Sequence, residues 1–200
     1  MFGFLSKDKK RGKQFTHHVY LNRAGKFRMM VEDINSVSSV ERKALLVYYF
    51  EETRIIIEQL LNAAGLPYSS ANTPDNKVLL VKADQLVSIL SNPKNTCVQA
   101  FISEIYPISG KDDLMLETIQ HYLPNVSVAF YTSLDSPIMK LFGGDKNQNL
   151  MLQMGLSENE KIEHAMVTKS ILRAQKKIKE KVQFEKPANS KQEWIELNVQ

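Results

Sequence analysis

Four short apolar runs limit most narrowly how this chain can fold. They are KALLVYYF at 43–50, VLLV at 78–81, TCVQAFIS at 96–103 and VSVAFYT at 126–132. None shows the apolar–polar alternation of a strand with one wet face. A strand that is apolar on both sides must be covered on both sides, as inside a parallel sheet. Helical patterns separate the runs. In EETRIIIEQLLNAAG, Ile56, Leu60 and Ala63 or Ala64 fall on one face, and Glu51 and Glu52 sit at the positive end of the helix dipole. Gly65 is placed to end that helix, and Pro67 stops its continuation. Further helices read at 26–36, in ADQLVSILSN before Pro93, and at 112–122. Strand and helix in alternation point to an α/β fold: an open, mostly parallel sheet with flanking helices.

From 137 onward the strand pattern stops. PIMKLFGG and NQNLMLQMG read as two short helices joined at a flexible Gly143–Gly144 pair. A long helix follows over about 160–182. Its Val167, Ile171, Ala174 and Ile178 form an apolar seam, while Lys169, Arg173, Lys176 and Lys177 lie mostly off it. The seam is expected to pack back on the α/β body. The chain therefore divides into a flexible basic segment (1–16), an α/β domain (17–136), a helical extension (137–184) and a loose tail (185–200), with Trp194 as a candidate to dock it.

Charge is partitioned. Residues 1–28 carry +7, residues 29–168 carry −7 and residues 169–191 carry +6. Three readings stay open: the basic ends fold back on the acidic body, touch an anionic lipid or polymer, or are solvated. No apolar run is long enough to span a bilayer. The opening MFGFLSKDKKRGK has its apolar residues before its charges, the reverse of a secretory leader. Phe2, Phe4 and Leu5 offer weak contact with an anionic membrane surface. The lone Cys97 excludes an internal disulfide framework, suits a reducing compartment and reads as a small buried hydrophobe. A cytoplasmic location, peripheral to the membrane at most, is expected.

Catalytic signatures are missing. Neither GxxxxGK[ST] nor GxGxxG occurs, nor does GxSxG. The four histidines and Cys97 have no zinc spacing. Glu51, Asp84, Glu104 and Asp135 follow strand ends, yet no spacing rule joins them into a metal site. Tyr48 and Tyr49 at the first strand exit either fill core space or offer a stacking surface. The long helix lacks the tightly turned partner helix of a DNA reader, so no specific nucleic acid is expected.

The tail resembles the SecA preprotein-translocase ATPase family. Met139, Leu141, Phe142 and Gly143 match its LM-x-x-FG segment. Ile162, Glu163, His164, Met166, Val167, Lys169, Ser170, Ile171, Ala174, Gln175, Lys176 and Lys177 match its IEH-x-MV-[ST]-[KR] helix, with Phe184 at its end. The front is similar to the linker into that family's second nucleotide-binding lobe, through Val19, Tyr20, Lys26, Phe27, Val31, Glu32 or Asp33, and Ile34. Leu45, Leu46, Val47, Leu60, Gly65 and Asn72 match the strand and helix that follow. The resemblance implies a RecA-like, helicase second-lobe fold with the start of the helical scaffold behind it.

The middle departs from the family. The TNMAGRGTDI and QLRGRSGRQGDPG segments, which bring arginines to ATP in the family, are absent, and residues 75–129 hold no arginine. Tyr48 and Tyr49 stand where the family has Gly and Thr. Phosphoryl transfer needs a phosphate cradle, a magnesium carboxylate and a cation on the transferred group. The expectation is a degenerate motor lobe that is not an enzyme, with no catalytic, cofactor or metal site. It would act as a protein-interaction module linked to export or the membrane surface, with an unidentified protein partner or a second copy of itself. Tyr48, Tyr49, Lys169, Arg173, Lys176 and Lys177 are its candidate interaction residues. The alternative is a regulatory domain that binds nucleotide without hydrolysing it.

Overall fold

The computed structural model describes residues 15–39, 42–71, 73–91, 97–141, 148, 152–153, 155–162 and 165–199. The basic head through residue 14, Asn72, Phe142, the Gly143–Gly144 joint, most of the helix expected after it, and Glu163 and His164 lie outside the described residues.

Six strands form one all-parallel sheet in the order β1-β6-β5-β2-β4-β3. The apolar runs supply β2 (Lys43–Tyr48), β4 (Val78–Lys82), β5 (Cys97–Ile102) and β6 (Ser127–Ser133). All six residues of β2 are buried, as a run without alternation requires. Two strands go beyond the sequence expectation. β1 (Phe15–Tyr20) is an edge strand beside β6, and β3 (Tyr68–Ser69) is a two-residue edge beside β4. Since β1 starts at Phe15, the boundary expected at residue 16 falls inside a strand.

Helices cover both faces. On one, α1 (Arg23–Val37) and α2 (Glu51–Ala63) bury Phe27, Met30, Ile34, Ile57 and Leu61 against Leu46, Tyr48, Leu80, Phe101 and Tyr131. Asn22 caps α1 by accepting from the Gly25 N–H at 2.8 Å. Past α2, Gly65 takes φ +63°, and the N–H groups of Gly65 and Leu66 donate back to Asn62 and Leu61. This is the closure that a left-handed glycine permits.

The other face carries α3 (Leu86–Leu90, after a short 3-10 turn), α4 (Ser109–Tyr122), α5 (Pro137–Lys140), α6 (Ala165–Lys181) and α7 (Lys191–Asn198). Ile171, Ala174 and Ile178 of α6 are buried in the same core as Leu45, Val47, Ile102 and Phe130. The seam thus packs on its own sheet, as its spacing predicts. The tail expected to be loose is not: α7 lies in that core, with Trp194 fully buried. Among the described residues, no helix is long and apolar enough to cross a membrane.

The loop before α6 is tied to β1 and α1. Ile162 donates its N–H to the Val19 carbonyl at 2.8 Å, and Arg28 donates to the Asn159 side chain at 2.9 Å. A Cβ on Gly25 would lie 2.1 Å from the Glu158 carbonyl oxygen, a backbone atom. Gly25→Ala is therefore expected to destabilise the protein by about 1–3 kcal/mol, although alanine is the better helix former. Denaturant unfolding checks this; an unchanged midpoint would mean that the loop does not sit against α1.

Candidate functional site

Open parallel sheets bind ligands beyond the carboxyl ends of their strands, where the chain's direction of travel across the sheet reverses. Here β4 and β3 lie to one side of β2, and β5 and β6 to the other. The reversal falls between β2 and β5. Tyr48–Phe50 leave the first strand there, and Ser103–Tyr106 leave the second.

Glu104 fills this crevice. Its side chain is almost fully buried, and Oε1 accepts from the backbone N–H groups of Tyr49 and Phe50, both at 3.2 Å. Oε2 lies 3.2 Å from Nζ of Lys191 on α7. The Glu52 N–H, in the first turn of α2, donates to the Asn189 carbonyl at 3.0 Å. The N-terminus of a helix is a natural place for an anion. At α2 that place is taken by the chain's own carboxylate and a carbonyl of its own tail, and Glu51 and Glu52 add negative charge beside it.

A second buried network joins α4 to α6. Asp112 accepts from the Tyr49 hydroxyl at 2.8 Å, the Tyr106 N–H at 3.1 Å and the Gln175 amide at 2.7 Å. Gln175 also donates to the Tyr106 carbonyl at 2.8 Å. Burial pushes the Asp112 carboxyl up to about 6 against the opposing pull of these three hydrogen bonds. Burial and the Asp112 charge both raise the Tyr49 phenol. Lys26 donates to the Ser103 carbonyl at 2.9 Å, and its amine is lowered to about 7 by burial and then by the charge of Lys191. Burial likewise raises the Cys97 thiol to about 11, so it stays protonated as a packed side chain.

The Asp112 shift has a sign that can be measured. Between about pH 4 and 6 the native carboxyl holds a proton that the unfolded chain has released, so its contribution to stability falls as pH rises through that window. Asp112→Asn is uncharged throughout and can keep both bonds to its Oδ1, while Gln175 has to turn its amide. Relative to the parent, the variant should gain about 3 kcal/mol between pH 4 and 7. A parent–variant difference in unfolding free energy that stays constant across that range would refute the shift.

The candidate residues read from sequence do not form one surface. Tyr48 is buried under α1 and α2, whereas Tyr49 is half-buried on the opposite face, its ring tilted 57° against that of Tyr106 at 4.9 Å. Lys169, Arg173, Lys176 and Lys177 are all exposed along α6. Nor do the four strand-end carboxylates gather into one site, although Glu51 and Asp84 share Lys82, whose Nζ lies 3.7 Å from each. Glu51 accepts from Arg54 at 2.6 Å, Asp84 lies 3.7 Å from Lys82, and Asp135 accepts from the Arg23 N–H at 3.0 Å. Among the described residues no cluster of His, Cys, Asp and Glu could hold a metal ion. Asp112, Gln175 and Lys191 were not singled out as a site by sequence. Gln175 stood within the matched helix, and a polar residue on the flank of an apolar seam was the signal available.

An all-parallel sheet of this order, with helices on both faces and a C-terminal helix, defines an α/β protein of RecA-like character. Over most of its length the chain is similar to SecA proteins. It is 28% identical over 184 aligned residues to the protein translocase subunit SecA of Flavobacterium psychrophilum, covering 81% of this chain and 16% of that one. It is 26% identical over 189 residues to SecA of Desulfovibrio desulfuricans, covering 83% and 22%. A stretch of 52 residues is 50% identical to SecA of Sorangium cellulosum, covering 26% and 5%. The chain thus spans about a sixth to a fifth of the length of the relatives it matches along most of its own. No protein-family model matches it.

Proposed function

We propose that this protein is a non-enzymatic interaction module built on a SecA motor lobe, the second nucleotide-binding lobe, and that its partner is another protein. One observation carries the reading. The backbone donors at the switch point, on Tyr49, Phe50 and Glu52, are already bonded to Glu104 and to the tail. A phosphate arriving there would have to displace a buried carboxylate and would meet the negative charges of Glu51 and Glu52. The fold of a motor lobe is retained while the place for its fuel is filled. The relatives' description as translocase subunits supports an origin in protein export. We place its action in the cytoplasm, at the membrane periphery, a reading that the likeness to translocase subunits supports. The exposed cations Lys169, Arg173, Lys176 and Lys177 suit an anionic partner surface or weak contact with anionic lipid.

The test has two arms. Calorimetric titration with ATP and with ADP, each with magnesium, should give no heat and no melting shift up to about 1 mM nucleotide. Binding in that range would favour the alternative, a nucleotide-sensing domain without hydrolysis. Quantitative affinity capture from the native cell should enrich a specific protein; equal recovery on control resin would remove the interaction reading.

A further inference from the structure

Two neighbouring helices on one face of the sheet, α4 and α6, present opposite charges to solvent. On α6, Lys169, Arg173 and Lys176 each stand two positions beyond a seam residue, Val167, Ile171 and Ala174. Two positions turn a helix by about 200°, so these cations look away from the sheet as the seam looks into it. The exposed side chains of α6 are six cations, one carboxylate (Glu180) and Leu172, which is 52% exposed. On α4, Asp113 and Glu117 are exposed one turn apart, beside Leu114 at 62%. Like charges in that spacing repel. Burial and then Glu117 raise the Asp113 carboxyl, and Lys179 of α6 lowers it. Among the described residues, Asp113, Glu117, Lys169, Arg173 and Lys176 form no ion pair. The two helices are joined where Gln175 donates to Asp112 at 2.7 Å.

We infer that this face is an interface between two copies of the chain, with α6 of each copy lying on α4 of the other. The inference rests on the interaction reading above and names one partner, the chain itself. A dimer closed by a twofold axis uses the same patch on both copies, so the patch must complement itself. A cationic helix beside an acidic one does so: half a turn brings the cations of each copy onto the carboxylates of its mate, twice over. A uniform polyanion fits less well. A lipid surface or a nucleic-acid backbone laid on the α6 cations meets Asp113 and Glu117 on the neighbouring helix. With 14 and 17 residues, α4 and α6 are about 21 and 25 Å long, room for a helix-on-helix contact of several turns. Leu114 and Leu172 supply apolar area within it. The charges set orientation and register, and the leucines supply the burial that exposed ion pairs lack.

Sedimentation equilibrium on the full chain tests this. The 22.9 kDa parent should dimerise at about 100 μM and weaken roughly tenfold or more between about 50 mM and about 500 mM salt. One variant carries Lys169→Glu, Arg173→Glu and Lys176→Glu, which makes both helices acidic. A second carries Asp113→Lys and Glu117→Lys, which makes both basic. All five positions are exposed, so both variants should keep the parent's melting temperature. Each alone should self-associate at least about tenfold more weakly than the parent. Mixed in equal amounts they should form a heterodimer, because each α6 again meets an α4 of opposite sign. Three results would overturn the inference: a monomeric parent at about 100 μM, a dimer indifferent to salt and to both variants, or two monomeric variants that stay apart on mixing. A monomeric parent that binds phosphatidylserine vesicles or polyuridylate, with binding lost in the acidic variant, would give the face to lipid or to nucleic acid and overturn it too. Cellular capture separates this inference from the interaction reading. A monomeric parent that still enriches a specific protein refutes the dimer alone, and a dimer that enriches no other protein refutes the foreign partner alone.

Discussion

Replacing Ile171 with aspartate will cost the protein most of its stability. Ile171 is fully buried on α6, and Ala174 and Ile178 are buried further along the same seam. Burying a branched side chain is worth roughly 1.5–3 kcal/mol, all of which the substitution forfeits. The carboxylate must then ionise in the core or take up a proton, and either adds a further penalty of about 1–3 kcal/mol or more. For a domain of this length the sum lowers the melting midpoint by roughly 10 °C or more. Lys176→Ala with Lys177→Ala is the control. Both side chains are exposed, and exposed pairs are worth about 0–1 kcal/mol, so the midpoint should hardly move. The seam, not the charges around it, fastens α6. An Ile171→Asp variant that melts with the parent would remove α6 from the core. With the seam packed on its own sheet, an anionic partner of the kind proposed would have to meet the cationic side of α6 rather than its apolar one.

How far the sequence spoke depended on what each element has to bury. β2, β4, β5 and β6 were legible because strands covered on two faces leave unbroken apolar runs. β1 was not, since FTHHVY pairs on one side only and carries two histidines. Helix bodies were clear, but their first turns were not: α1 starts three residues before the sequence pattern, at an Asn22 cap, and α4 starts at Ser109 rather than 112. The tail was read as loose because its apolar content is small. Its signal was a capping box instead, SKQE at 190–193: Ser190 accepts from the Glu193 N–H, and Glu193 reaches back to the Asn189 N–H. That residues 75–129 hold no arginine and that no GxxxxGK[ST] occurs was visible in the sequence. What fills the crevice was not, because Glu104 meets Lys191 across 87 positions of chain and no local pattern encodes that distance. Of the three readings of the basic ends, this pair and the Arg23–Glu52 pair at 2.9 Å realise the first, while Lys169, Arg173 and Lys176 stay at the surface.

Trp194→Ala should release the tail. The Trp194 ring is fully buried, meets the Tyr106 ring edge-on at 5.8 Å and donates its Nε1 proton to Glu185 at 3.0 Å. Asn198 ties the same segment together, donating to the carbonyls of Lys186 and Trp194 and accepting from the Lys186 N–H. Large aromatic truncations in a core cost about 3–5 kcal/mol. A short terminal helix holds little else in reserve, so the loss falls first on α7 and only then on the sheet. Trypsin should cut after Lys191, a buried residue in the parent, many times faster in the variant, while circular dichroism keeps most of its helical signal. Trp194→Phe retains the ring contact and should stay resistant. Releasing α7 removes Lys191 from Glu104 but leaves the Glu104 carboxylate on the Tyr49 and Phe50 N–H groups. The opened variant should therefore still ignore ATP. If Trp194→Ala binds nucleotide where the parent does not, the tail is a plug over a nucleotide site, and the occupied helix N-terminus is not what excludes nucleotide.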